Sequence, residues 1–286
     1  MTRLISAASL IAILAIISPS LSAQWPAYPT PGAPKLPDGK PNLTAPAPRT
    51  ADGKPDLSGI WVNGPPRFGG RGQGGAGIPP PEGLPVPPSD GPPAPTFFNA
   101  GSGFQGGLPF QPWAAELRKK RTADNGKDNP DAHCLPIGFL QLHMHPQPRK
   151  IVQTPKLVLI MWESNYGLRQ IFTDGRPLPN NDPTPWWDGY SIGHWEGDTL
   201  VVESGGFRDG GWLDVNGSPY TDALKLTERF RRVSYGTLEM VITIDDPKAY
   251  TKPWTVKMDQ RILLDSEMIE FICAENELSS HHYDKK

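Results

Sequence analysis

The feature that most restricts the fold begins at Arg149. From there the chain runs as short stretches of Val, Ile, Leu, Thr and aromatic residues, each soon broken by a turn. This is strand periodicity, in which successive side chains go to opposite faces. Strands are expected near 149–154, 157–163, 167–173, 189–195, 198–204, 225–234, 237–245, 254–264 and 267–273. Two-residue turns at Pro155-Lys156, Glu196-Gly197, Tyr235-Gly236 and Asp265-Ser266 join neighbours and force antiparallel pairing. No βαβ unit is present, and the one good helix pattern is Pro112 to about Ala123, with proline in its first turn and Lys and Arg toward its end. The expected fold is all-β: an antiparallel up-and-down barrel of about 8–10 strands, because closure removes sticky edges.

Turn position sets register, and register sets faces. Around Asp265-Ser266, an apolar face carries Met258, Gln260, Ile262 and Leu264 opposite Cys273, Phe271, Ile269 and Glu267, while Arg261 pairs with Glu270 outside. Around Tyr235-Gly236, the face with Leu238, Met240, Ile242 and Ile244 also receives Val233, Arg229 and Arg231, with Arg229 opposite Ile242. A guanidinium there needs an acidic or carbonyl partner; a slip of one residue turns it outward instead. Around Glu196-Gly197, one face holds Tyr190, Ile192, His194, Val201 and Glu203, with Tyr190 opposite Glu203; the other holds Ser191, Gly193, Trp195, Asp198, Leu200 and Val202. Neither is purely polar, as expected of a barrel whose concave side holds a ligand.

Composition matters where it is uneven. Residues 24–112 hold most of the chain's 35 prolines and 30 glycines. Such a stretch buries too little apolar surface to offset chain entropy. It divides into a disordered Pro-rich arm at 24–51 and a Gly/Pro-rich insertion at 62–112 inside a single barrel domain spanning 52–276, with a polar tail at 277–286. One local echo pairs Asp38-Gly39-Lys40-Pro41-Asn42-Leu43 with Asp52-Gly53-Lys54-Pro55-Asp56-Leu57. Only the second copy runs into an apolar stretch, Leu57 to Trp61, and it reads as entry to a first strand; the first reads as arm.

The start reads as a signal peptide over 1–23: Arg3, the apolar run Leu4 to Ile17, and Leu21-Ser22-Ala23 as cleavage site. The mature chain is therefore expected in the periplasm or secreted, with no membrane insertion after signal removal. In an oxidising compartment the two cysteines, Cys134 and Cys273, are expected to form a disulfide. With 28 basic against 30 acidic residues there is no cationic excess, and nucleic acid is not expected as a partner.

Candidate site residues follow from the strand map. The long segment Asp174 to Trp187 suits a functional loop. Trp186, Trp187, Tyr190 and Trp212 form an aromatic set, with Asp174, Arg176 and Arg229 as polar partners. Aromatics interleaved with acids suit a sugar or an aromatic lactone. Among the nearby carboxylates Glu196, Asp198, Glu203, Asp214 and Glu228, the inward candidate is Glu203, with His194 or Asp214 as acid–base partner. His143-Met144-His145 presents two imidazoles, but no HExxH or Cys/His metal spacing accompanies them, so neither metal nor cofactor is expected. Gly-x-Ser-x-Gly and phosphate-loop motifs are absent. Three functions remain: a binding protein for a small molecule, an enzyme acting on a glycoside or related compound, and a cell-envelope interaction protein with the arm as tether.

The motifs Asp56-Leu57-Ser58-Gly59-Ile60-Trp61, Asp174-Gly175-Arg176, the run from Gly193 to Val202 (GHWEGDTLVV), Glu228-Arg229-Phe230, the run from Asp245 to Trp254 (DDPKAYTKPW) and Cys273-Ala274-Glu275-Asn276 together resemble a family of exported bacterial proteins. The resemblance implies one unit from Asp52 onward and brings no activity. Gly59-Ile60-Trp61 is also similar to the Gly-x-Trp of lipocalin-like barrels, which implies a barrel with a ligand cavity.

Overall fold

The computed structural model describes residues 28–63, 91–179 and 184–275. The signal peptide, the polar tail and most of the Pro/Gly insertion read from the sequence lie outside these residues.

Nine strands close into a barrel in sequence order. They are β1 (Gly59–Asn63), β2 (Arg149–Gln153), β3 (Leu157–Trp162), β4 (Leu168–Phe172), β5 (Tyr190–Glu196), β6 (Thr199–Gly205), β7 (Lys225–Ser234), β8 (Thr237–Asp245) and β9 (Trp254–Ile262). The all-β barrel expected from periodicity is thus observed, and helix α1 spans Pro112–Ala123. A second helix, α2 (Phe139–Met144), is buried along its whole length. Its apolar side chains each contribute roughly 1.5–3 kcal/mol by leaving water.

Two departures concern how the barrel closes. Residues 267–273 do not form a strand; β1 takes the edge of β9 instead, pairing Trp61 with Ile262 and Asn63 with Gln260. Leu263 N–H then donates to the Ile60 carbonyl at 2.7 Å, and Asp265 turns away with φ 52°. With that edge taken, the expected face of Ile269 and Phe271 lies exposed, and the Arg261–Glu270 pairing has no hairpin to form on. The second departure is the β4–β5 junction, which is parallel. The connection from Thr173 to Gly189 is long enough for the chain to cross back and re-enter in the same direction.

Register explains the largest correction. The Tyr235-Gly236 turn is as expected, pairing Ser234 with Thr237, but a bulge at Val233 shifts the rest of β7 by one residue. A one-residue shift exchanges the faces. Glu228 therefore lies opposite Ile242 and points inward with Leu226, Phe230 and Arg232, while Arg229 and Arg231 point to solvent. The β5–β6 turn moves one residue along, pairing Glu196 with Thr199, so the pairing shifts by two and faces are kept: Tyr190 now opposes Gly205. The inward face is the one with Ser191, Gly193, Leu200, Val202 and Ser204.

The described part of the arm, expected to be disordered, is held to the barrel. Both echo copies close the same turn: Leu36 N–H donates to the Lys40 carbonyl at 2.8 Å, and Thr50 N–H to the Lys54 carbonyl at 2.9 Å. The segment between them caps the β7–β8 turn, with Tyr235 N–H donating to the Ala45 carbonyl at 2.7 Å and Gly236 N–H to the Leu43 carbonyl at 2.9 Å. Arg49 grips Asp198 through two hydrogen bonds of 3.0 and 2.6 Å. Pro-rich composition denied this segment a core of its own but left its backbone free to add to one.

Helix α2 enters between the loop 207–221 and the strands. A Cβ on Gly138 would come within 2.2 Å of the Trp212 carbonyl oxygen, and one on Gly211 within 1.9 Å of the Tyr220 ring. A side chain at Gly138 would push the loop off the helix, and one at Gly211 would break the packing within the loop.

Cys134 and Cys273 form the expected disulfide across 139 residues of sequence. It ties the segment after β9 to the turn before α2. Replacing both cysteines with serine is expected to lower stability by about 2–4 kcal/mol, read as a lower urea midpoint with an unchanged far-UV spectrum.

Candidate functional site

Inside the barrel lies a charged network. Glu228 of β7 receives both guanidinium nitrogens of Arg169 from β4, and Nε2 of His143 from α2 at 3.0 Å. Arg169 also donates Nε–H to Ser191 Oγ at 3.0 Å and Nη2–H to Ser204 Oγ at 2.9 Å. All five residues are buried. Strand alternation fixes the set: each is the inward residue of its strand, and His143 is carried in by the helix.

Burial pushes the Glu228 carboxyl up, but Arg169 and His143 outweigh it and hold it down at about 2. Burial lowers His143, against the pull of Glu228, so the imidazole is neutral and its Nε2–H is the donor to Glu228. Its Nδ1 has no partner.

A second polar group stands between β4 and the start of β5. Asp188 is half-buried as a residue, yet its Oδ1 is shut off from solvent and unpartnered. Burial pushes its carboxyl up to about 6, with Arg169 pulling the other way. Tyr220 hydroxyl donates to the Trp187 carbonyl at 3.3 Å, and burial, aided by the Asp188 charge, raises this phenol.

The aromatic and charged residues expected at the site divide three ways. Trp186, Tyr190, Arg176 and Asp174 come together, with Phe172 added. Phe172 and Tyr190 stack with centroids 5.2 Å apart, Trp186 meets Tyr190 edge-on at 6.5 Å, and Arg176 lies 3.9 Å over the Phe172 ring. Arg176 also donates to the Tyr190 hydroxyl at 3.0 Å and forks onto Asp174, holding that carboxyl at about 2. Trp186 is 47% exposed. Trp187 is half-buried beneath the Arg208 guanidinium, 5.0 Å from its ring.

Other expected residues serve the scaffold. Trp212 is buried under Arg121 at 4.4 Å. Asp214 is buried and saturated, accepting from Ala100 N–H at 2.8 Å and from Ser218 N–H and Oγ–H at 3.0 and 2.7 Å. Glu203 and His194 lie on the outer, exposed face; His194 bonds Glu196 at 3.3 Å, and Arg229 bonds the other oxygen of Glu196 at 2.8 Å. Glu203 and Asp214 therefore do not face one another across a cavity, as paired-carboxylate chemistry requires. The concave face is filled by Trp61, Trp162, Phe230 and helix α2 around the buried network.

Arg169, Arg149 and Asp188 escaped the sequence reading, His143 was weighed there only as a metal ligand, and Glu228 ranked behind Glu203. Glu228 had a usable signal: it alternates with Leu226 and Phe230, once the bulge at Val233 is allowed.

The two shifted carboxyls act on stability with opposite sign. The depressed Glu228 contributes fully above its ordinary value of 4.5, and that contribution is lost as pH falls toward about 2. The raised Asp188 favours the fold below 3.8, and that gain is lost as pH rises through about 6. Glu228→Gln leaves Arg169 buried without its partner and is expected to cost about 3–5 kcal/mol near neutral pH. Denaturant titrations at pH 7 and pH 3 should show the gap between variant and parent narrowing in acid.

Family models, curated proteins and solved structures give no match to this chain, so its function is read from the site itself.

Proposed function

We propose that this is an exported small-molecule-binding β-barrel protein, whose ligand lies on the rim rather than in the interior. The observation that carries this reading is the platform of Phe172, Tyr190 and Trp186, bordered by Arg176 and Asp174. A partly exposed aromatic cluster with a charged, hydrogen-bonding border suits a ring with polar substituents, such as a sugar or an aromatic lactone. Export is supported by Arg3, the apolar run to Ile17 and the Cys134–Cys273 disulfide. Among the described residues no helix is long and apolar enough to cross a membrane.

Titration of the full mature chain with a panel of saccharides and aromatic lactones, followed by tryptophan fluorescence, tests the platform. Trp186→Ala is expected to weaken the best ligand by about tenfold or more, as for a truncated aromatic anchor. Equal affinity in parent and variant removes the platform from consideration.

One observation favours a second reading, an enzyme acting on a glycoside or related small molecule. Asp188, beside Trp187, has an unpartnered carboxyl oxygen and titrates near the pH at which a general acid works. Turnover of nitrophenyl glycosides that falls as pH rises through about 6, and that Asp188→Asn abolishes, is the expected result; no turnover by the parent protein ends this reading.

A further inference from the structure

The inward side chains of the nine strands carry three arginines, Arg149, Arg169 and Arg232, against one carboxylate, Glu228. Arg169 is neutralised by Glu228. Arg232 lies toward the β7–β8 turn, where it donates to the Tyr235 and Asp56 carbonyls at 2.6 Å each and stacks 4.9 Å from the Trp61 ring.

Arg149 is different. It is fully buried where β2 begins and β1 ends. Its terminal nitrogens donate to the carbonyls of His143 at 2.5 Å, His145 at 3.0 Å and Gln147 at 3.4 Å, and to Asn63 Oδ1 at 3.3 Å. Among the described residues no carboxylate lies within ion-pair distance of it, and its Nε–H has no partner. Burial without a countercharge pulls the guanidinium down to about 9. Carbonyl dipoles alone do not compensate a full buried charge.

The neighbouring groups are also incomplete. Gln260 of β9 is directly paired with Asn63 across the β1–β9 ladder, so its side chain stands on the inner face beside the residue that Arg149 holds. It is wholly buried, and neither its amide nitrogen nor its oxygen has a partner; Gln147 Oε1 is unpartnered too. Buried polar atoms in native proteins are almost always satisfied. Here an uncompensated cation, two idle N–H donors and two idle oxygens converge on one end of one barrel.

We propose that this end of the barrel binds a small carboxylate, whose oxygens accept from the Arg149 Nε–H and the Gln260 amide N–H. A single negative charge matches the Arg149 guanidinium, and the two oxygens of a carboxylate match the two idle N–H donors. The idle oxygens of Gln260 and Gln147 favour a ligand that also carries a hydroxyl group, as a hydroxy acid does. This site is separate from the aromatic platform and does not depend on it.

The test is thermal unfolding of the full mature protein in lactate, acetate, phosphate and neutral acetamide at matched ionic strength, with affinities from calorimetry. Saturable stabilisation by lactate and acetate, absent with acetamide, is expected. Gln260→Met replaces an unsatisfied amide with an apolar side chain of similar shape, so the free protein should be at least as stable as the parent. Its lactate affinity should fall about tenfold or more. Arg149→Met, if it folds, should lose the carboxylate response entirely, while Trp186→Ala should keep it. A preference for phosphate, equal stabilisation by acetamide, no saturable effect of lactate, or unchanged lactate affinity in Gln260→Met would each overturn the proposal, the acetamide result marking an ordinary hydrated pocket.

Discussion

The ion pair between Glu228 and Arg169 sets the terms for the rest of the barrel. Two charges removed from water need partners on every side, and each partner comes from a different element: Ser191 from β5, Ser204 from β6, His143 from α2. The pair therefore fixes the relative placement of five elements at once. It also explains why α2 is wholly buried without being wholly apolar. Its leucines and phenylalanine fill space, and His143 supplies a second hydrogen bond to Oε1 of Glu228. Such a pair is weak evidence for net stability but strong evidence for a single register, since sliding β7 by one residue would strand both charges.

Most of the fold was legible because period-two alternation is a local property. All nine strands, the β2–β3 and β7–β8 turns and helix α1 follow from short windows of sequence, and the β5–β6 turn follows to within one residue. What was not legible depended on contacts remote in sequence. The closing strand β1 stands far from β9, and nothing near Ile262 announces that its edge is taken. The bulge at Val233 was equally hidden. Val233 is apolar, and alternation alone assigns it to the core, whereas it is 44% exposed. That single extra residue moved Arg229 outward and Glu228 inward.

The candidate site was legible in part for the same reason. Asp174, Arg176, Trp186 and Tyr190 lie within one connection and its flanking strand, so their proximity is written locally. Arg149 and Gln260 come from opposite ends of the chain's β region and share a neighbour only through Asn63. Glutamine in a strand is an ordinary residue until both its amide atoms prove idle inside a closed barrel. The arm at 28–51 shows a further limit: its composition excluded a core but said nothing of docking onto one.

The parallel junction has a consequence for motion. β4 and β5 share two residue pairs, whereas β3–β4 share five and β5–β6 seven. The wall is thus a ring of unequal strength, and local opening concentrates where the ladder is shortest. That stretch carries Phe172 and Tyr190 on its outer side and Ile171 and Ser191, the latter bonded to Arg169, on its inner side. Breathing of this seam links the outer aromatic surface to the buried charges, and amide exchange along β4 is where that link becomes visible.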